Sequence, residues 1–193
     1  MLADRLGLGG MVRELFSPSI LPNKTVRSKT MLTTIRREKL DPNAMYGLVI
    51  SESKRLLLLA KECDFQFDGF VVIRKSDITE RIITDSNKYC SAIMKKEGNW
   101  AKIPPHVKRL NVSTWDTLIS GIKSDVIILE DERKNGDFYI GPVIGMTKIN
   151  VTLNWFDGVG AWGTPDKVPF KKITICKFLD RYSATHAKYL KWT

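Results

Sequence analysis

Gly47-Leu48-Val49-Ile50 and Gly141-Pro142-Val143-Ile144 share a pattern at an offset of 94 residues. Ile73 to Thr79 (IRKSDIT) and Val168 to Thr174 (VPFKKIT) share another at an offset of 95. Asp85 and Asp180 stand at that same offset of 95, each where a helix is expected to begin. One residue inserted in the intervening loop accounts for the change of offset. The pattern reads as an internal duplication, with the same order of strands and a closing helix in each half.

Outward from these strings, the dominant period from residue 31 is two. Leu32 to Arg37, Ala44 to Ile50, Leu56 to Leu59, Phe70 to Ile73 and Ile78 to Ile83 read as strands. The unbroken Leu56-Leu57-Leu58-Leu59 run, bounded by turn residues, is expected to be a buried strand. Asp85 or Ser86 caps a helix that runs to about Lys96 and stops at Gly98. In the second half Val126 to Glu130, Phe138 to Gly145, Ile149 to Phe156, Lys167 to Phe170 and Ile173 to Leu179 are the strands. Asn135-Gly136 suits a type I′ hairpin turn. A last helix, Ala184 to Trp192, follows a cap at Asp180 or Ser183. Asn99 to Val112, with Pro104-Pro105, reads as a semi-rigid linker. Ser113-Thr114-Trp115-Asp116 opens a short helix that covers a barrel mouth with Trp115, Leu118, Ile119 and Ile122. The expected organisation is an N-terminal extension (1–30), a first small β-barrel plus helix (31–98), the linker (99–112) and a second barrel plus helix (113–193). Five short strands per half suit a small, partly open barrel, and closure would remove exposed strand edges.

The strings FDGFVVIRKSDIT (67–79) and KVPFKKITICKFLDRY (167–182), each followed by a helix, resemble bacterial uncharacterised proteins built of SH3-like or Sm-like small barrels. The resemblance covers residues 31–193. It implies a mainly β fold with flanking helices (α+β), made of two duplicated small barrels each closed by a C-terminal helix. It carries over no functional residue.

The chain has 193 residues and a net charge of +10. No apolar run is long enough to span a bilayer, so no membrane association is expected. The N-terminus lacks the apolar core of a secretory signal, broken as it is by Gly7, Gly9 and Gly10. Cys63, Cys90 and Cys176 are odd in number and form no CxxC pair, which fits a reducing cytoplasm. His106 and His186 have no ligand-spaced partner, and no phosphate-cradling loop of the GxxxxGK type occurs. No metal, cofactor or catalytic constellation is therefore expected, and the chain reads as a binding protein rather than an enzyme.

Half of the excess charge sits in residues 24–39, where Lys24, Arg27, Lys29, Arg36, Arg37 and Lys39 face only Glu38. Such a stretch is a footprint of polyanion binding. Lys24, Arg27, Lys29, Arg36 and Arg37 are the candidate contacts to RNA or DNA. Trp155, Phe156 and Trp162, among the glycines of residues 155–163, form a candidate ligand loop, because aromatics on a small barrel hold extended peptides or unpaired bases. The same rings would otherwise fold back as packing. Nucleic-acid binding is the leading expectation. The alternative is a protein-interaction or regulatory module that docks a partner peptide.

Overall fold

The computed structural model describes residues 30–133 and 136–190. β1 (Leu32–Arg37), β2 (Asp41–Glu52), β3 (Leu56–Cys63) and β4 (Gln66–Arg74) form an antiparallel meander, and β5 (Glu80–Ile82) returns to pair with β1. β6 (Ile127–Asp131), β7 (Asp137–Gly141), β8 (Val143–Met146), β9 (Asn150–Leu153) and β10 (Asp166–Pro169) follow the same path, and β11 (Ile175–Phe178) returns to β6. Pro142 divides β7 from β8 where the first half runs one continuous β2. Helix α1 (Asp85–Lys96) follows β5, and α2 (Pro105–Lys108) and α3 (Trp115–Gly121) join the halves. Helix α4 (Arg181–Leu190) follows β11. The chain is mainly β and of the α+β class.

No closed barrel forms among the described residues. The strands instead make an eight-stranded sheet, β5-β1-β2-β3-β4-β11-β6-β7, and a three-stranded sheet, β10-β9-β8. The expectation that each half seals its own edges is corrected by the ladder between β4 and β11, where Phe70, Val71, Val72 and Ile73 face Phe178, Lys177, Cys176 and Ile175. The β4 residues explain this. Phe70 to Ile73 are buried on both faces, and a strand apolar on both faces belongs in a sheet interior.

The register repeats between the halves. Thr33↔Gly47 recurs as Ile127↔Gly141, and Val49↔Leu59 as Val143↔Leu153. Leu57↔Ile73 recurs as Val151↔Val168, and Ile35↔Arg81 as Leu129↔Cys176. The offset is 94 through β9 and 95 from β10. A bulge follows both Val49 and Val143. The glycines obey one constraint: a Cβ on Gly47 would lie 2.7 Å from the Ala60 carbonyl oxygen, and one on Gly141 would run into the carbonyl oxygen of Asn154, 94 residues further on.

The leucine run splits with period two. Leu56 and Leu58 enter the main core, with Leu48, Val72, Leu118, Leu129, Leu153 and Phe178, while Leu57 and Leu59 enter a second cluster with Ile35, Val71 and Ile175. Helix α1 is capped by Thr84, whose side chain accepts from the Asn87 N–H, rather than by Asp85 or Ser86. It is tied to β1 where the Leu32 N–H donates to Ser91 Oγ at 2.8 Å and Thr34 Oγ1 donates to Asn87 Oδ1 at 2.9 Å. Helix α4 begins at the expected Asp180, whose Oδ1 accepts from the Ser183 N–H at 2.9 Å. Residues 99–112, read as a linker, place Ile103, Val107, Leu110 and Val112 in the main core. Asp131 pairs with Asp137, which leaves residues 132–136 between β6 and β7; Asn135 of the expected Asn135-Gly136 turn lies outside the described residues.

Candidate anion-binding site

Two hairpin tips are built alike. In the β2–β3 turn, Ser53 Oγ accepts from the N–H groups of Arg55 (2.9 Å) and Leu56 (3.0 Å). In the β8–β9 turn, Thr147 Oγ1 accepts from those of Ile149 (3.3 Å) and Asn150 (3.1 Å). A hydroxyl that ties down its own turn fixes the next side chain, here Lys54 and Lys148, which stand at the repeat offset of 94. The end of β4 and the turns after β4 and β10 lie beside these tips and contribute Arg74, Ser76, Phe170 and Lys171. The start of α3 adds Thr114, Trp115 and Asp116. Together with Arg55 and Leu56 these residues line one cleft of about 620 Å³.

The cleft is strongly cationic. Lys54, Arg55, Arg74, Lys148 and Lys171 face one carboxylate, Asp116. None of these five cations takes part in the ion pairs among the described residues. Arg74 anchors the wall, donating from Nη2 to the carbonyl oxygens of Phe170 (3.3 Å) and Lys171 (2.5 Å). Burial lowers its pKa, Asp77 and Asp131 oppose that and Arg133 adds to it, yet an arginine stays protonated at neutral pH. The Thr114 hydroxyl holds the Asp116 carboxyl below the usual carboxylate range, so it too is charged. Like charges held together without partners repel one another, and a bound anion relieves that repulsion. Leu56, Trp115 and Phe170 supply an apolar wall. The arrangement can hold phosphates and lay a planar group beside them.

Those residues expected from the sequence that the structure describes lie elsewhere. Lys24, Arg27 and Lys29 fall outside the described residues. Arg36 is at the surface, its Nε 2.9 Å from Glu80. Arg37 is only 3% exposed, and its guanidinium meets both carboxylate oxygens of Glu132 at 2.6 and 2.7 Å; it joins the two halves instead of facing a ligand. In the aromatic loop, Phe156 is buried against Val126, Ile128, Ile140 and Leu190. Trp155 packs over Gly163, where a Cβ would collide with its ring. Trp162 sets its edge on Phe156, with centroids 6.0 Å apart, and remains 43% exposed. None of the three lines the cationic cleft. Sequence reasoning missed Lys54, Arg55, Arg74, Lys148 and Lys171 because they are scattered along the chain. The available signal was the recurrence of a lysine after a hydroxyl residue, Ser53-Lys54 and Thr147-Lys148, at the repeat offset.

Among the described residues, no three His, Cys, Asp or Glu side chains come together as a metal site, and no helix is long and apolar enough to cross a membrane. Compared with known proteins, the chain matches no family model, no curated protein and no solved structure.

Proposed function

We propose that this chain is a non-enzymatic nucleic-acid-binding protein made of two duplicated SH3-like or Sm-like units, and that it takes single-stranded RNA or DNA across the cationic cleft. The observation that carries the reading is the set of five cations without ion-pair partners lining one cleft that also has an apolar wall. Lysines at the two hairpin tips neutralise successive phosphates and release counterions. The half-buried Phe170 gives a base a surface to rest on, backed by the buried Trp115. The repeated ladder register supports the duplication, and the β5–β1 and β11–β6 returns support the small-barrel topology. The unpaired cysteines accord with a cytoplasmic location. Lys24, Arg27 and Lys29, outside the described residues, add three further cations for the same polyanion.

Fluorescence anisotropy with a labelled single-stranded oligonucleotide tests this. The triple variant Lys54→Gln/Lys148→Gln/Lys171→Gln should weaken binding to all sequences alike. For single strands it should flatten the slope of log affinity against log salt by about 0.7 for each phosphate that is no longer neutralised. The variant Lys24→Gln/Arg27→Gln/Lys29→Gln measures the contribution of the extension in the same assay. Binding that ignores salt and all six substitutions would remove the nucleic-acid reading and favour a peptide-docking module.

A further inference from the structure

The ladder between β4 and β11 holds the two halves edge to edge, and the repeat supplies the same two strand edges a second time. β10 is the repeat counterpart of β4, and β5 is that of β11. Among the described residues β10 pairs only with β9 and β5 only with β1, so one free edge of each type remains, β5 at an end of the eight-stranded sheet and β10 at an end of the three-stranded sheet. A second copy of the chain could dock there, β5 on β10, by the interaction the chain already uses in its middle. Such an interface is heterologous and would propagate.

We propose that the outer edge of β10 is a self-association edge that this chain keeps closed through Pro165, Lys167 and Pro169. The argument is one of backbone direction. The Phe170 N–H donates to the Ile149 carbonyl oxygen on the β9 side, at 2.9 Å. Successive residues of a strand point their N–H and C=O groups to opposite sides, so residues 169, 167 and 165 turn theirs away from β9, the Pro169 carbonyl oxygen being taken by the Lys172 N–H at 2.9 Å in the turn that follows. Two of these three positions are proline and have no donor. Their counterparts in β4 are Phe70, Val72 and Arg74, whose backbones by the same alternation face β11, because the Lys75 N–H donates to Arg55 on the β3 side at 2.8 Å.

The side chains oppose docking as well. Shifting the β4–β11 register by the repeat offset sets Pro165, Asp166, Lys167 and Val168 opposite Ile83, Ile82, Arg81 and Glu80 of the second copy. Where Val72 meets Cys176 inside the chain, Lys167 would meet Arg81. Like charges directly opposite each other destabilise a strand pair, and proline and lysine are how sheets blunt a free edge. The inference rests on the repeated register and is independent of what the cationic cleft binds.

Sedimentation velocity and light scattering over a range of protein concentrations test it. The wild-type chain should keep its monomer mass of 22.0 kDa. The variant Pro165→Val/Lys167→Glu/Pro169→Thr restores two donors and places a carboxylate opposite Arg81. Its mass should rise at least twofold with concentration. Adding Arg81→Glu to that variant should return it to monomer, which separates registered strand pairing from general stickiness. Circular dichroism checks that each variant folds. If the triple variant does not, Pro165→Val/Lys167→Glu, which leaves Pro169 in place, carries the same expectation. A wild-type chain that is oligomeric and becomes monomeric with Arg81→Glu would overturn the proposal. So would a folded, repaired variant that stays monomeric.

Discussion

Removing the Arg37 guanidinium tests how the halves are joined, because its partner Glu132 comes from the other half. The pair is bidentate, at 2.6 and 2.7 Å, and Glu132 also accepts from Thr174 Oγ1 at 2.8 Å. The Arg37 side chain is 3% exposed and that of Glu132 14%. Breaking a buried pair from one side costs about 3–5 kcal/mol, since the remaining charge stays desolvated and unpaired. Glu132 retains the Thr174 hydroxyl and some water, so Arg37→Met should lose about 3 kcal/mol. With a urea m-value of about 2 kcal/mol/M, the unfolding midpoint should fall by about 1.5 M. Arg37→Met/Glu132→Leu should recover most of the loss, because replacing both partners with apolar groups removes the stranded charge. Arg36→Gln is the control: its partner Glu80 is half exposed, and the loss should stay within about 0.5 kcal/mol. The measurement is urea unfolding followed by fluorescence and circular dichroism. A loss below about 1 kcal/mol for Arg37→Met, or simple additivity in the double variant, would refute the reasoning.

Two other predictions concern the glycines and acid. Gly141→Ala should destabilise by at least about 1–3 kcal/mol through the clash with Asn154, whereas Gly98→Ala, with φ of 69° and nothing near the added Cβ, should cost only the backbone strain of about 1 kcal/mol; thermal unfolding would rank them. Hydrogen bonds from Arg133 hold the Asp131 carboxyl below its ordinary pKa; burial raises that of Glu52, but hydrogen bonds from Lys75 and Arg81 outweigh it. A carboxyl depressed in the folded state contributes stability fully present above its unfolded pKa, near 4, and lost as pH falls through the lower folded value. Stability measured by urea unfolding should therefore decline below about pH 4, and Asp131→Asn should make that decline shallower.

Much of the fold was legible because its evidence is local. The leucine run reads as a buried strand at once, and its split into Leu56/Leu58 and Leu57/Leu59 follows from a period of two. Gly47 and Gly141 mark the repeat because each meets a neighbouring carbonyl that leaves no room for a side chain. Turns were less legible. Asp64 and Phe65 make the two-residue turn between β3 and β4, with φ of 48° and 61°. Phenylalanine is rare in that left-handed region, so nothing in the residue types announced it. The expected closure of each half failed on a distinction the sequence contains. Phe70-Val71-Val72-Ile73 is an interior strand by composition, whereas Pro165-Asp166-Lys167-Val168-Pro169, at the corresponding place, is an edge by composition. Two strands at one repeat position with opposite character cannot both seal their own units.

The candidate site shows why charge density along the chain is a poor guide to charge density in space. Residues 24–39 gather basic side chains in one short stretch, but Arg37 belongs to Glu132, which follows it by 95 residues. Lys54 and Lys148 stand 94 residues apart in the sequence, and folding sets them on one cleft because each half contributes the same hairpin tip. Arg74, the residue after the Ile73↔Ile175 pair of the β4–β11 ladder, donates to the Phe170 and Lys171 carbonyl oxygens and so sets the turn after β10 beside the end of β4. Four of the five cations of the cleft come from three turns, and the fifth, Arg74, is the last residue of β4. The β4–β11 ladder is therefore what concentrates the charge. Loosening it should weaken anion binding even with every cationic side chain in place.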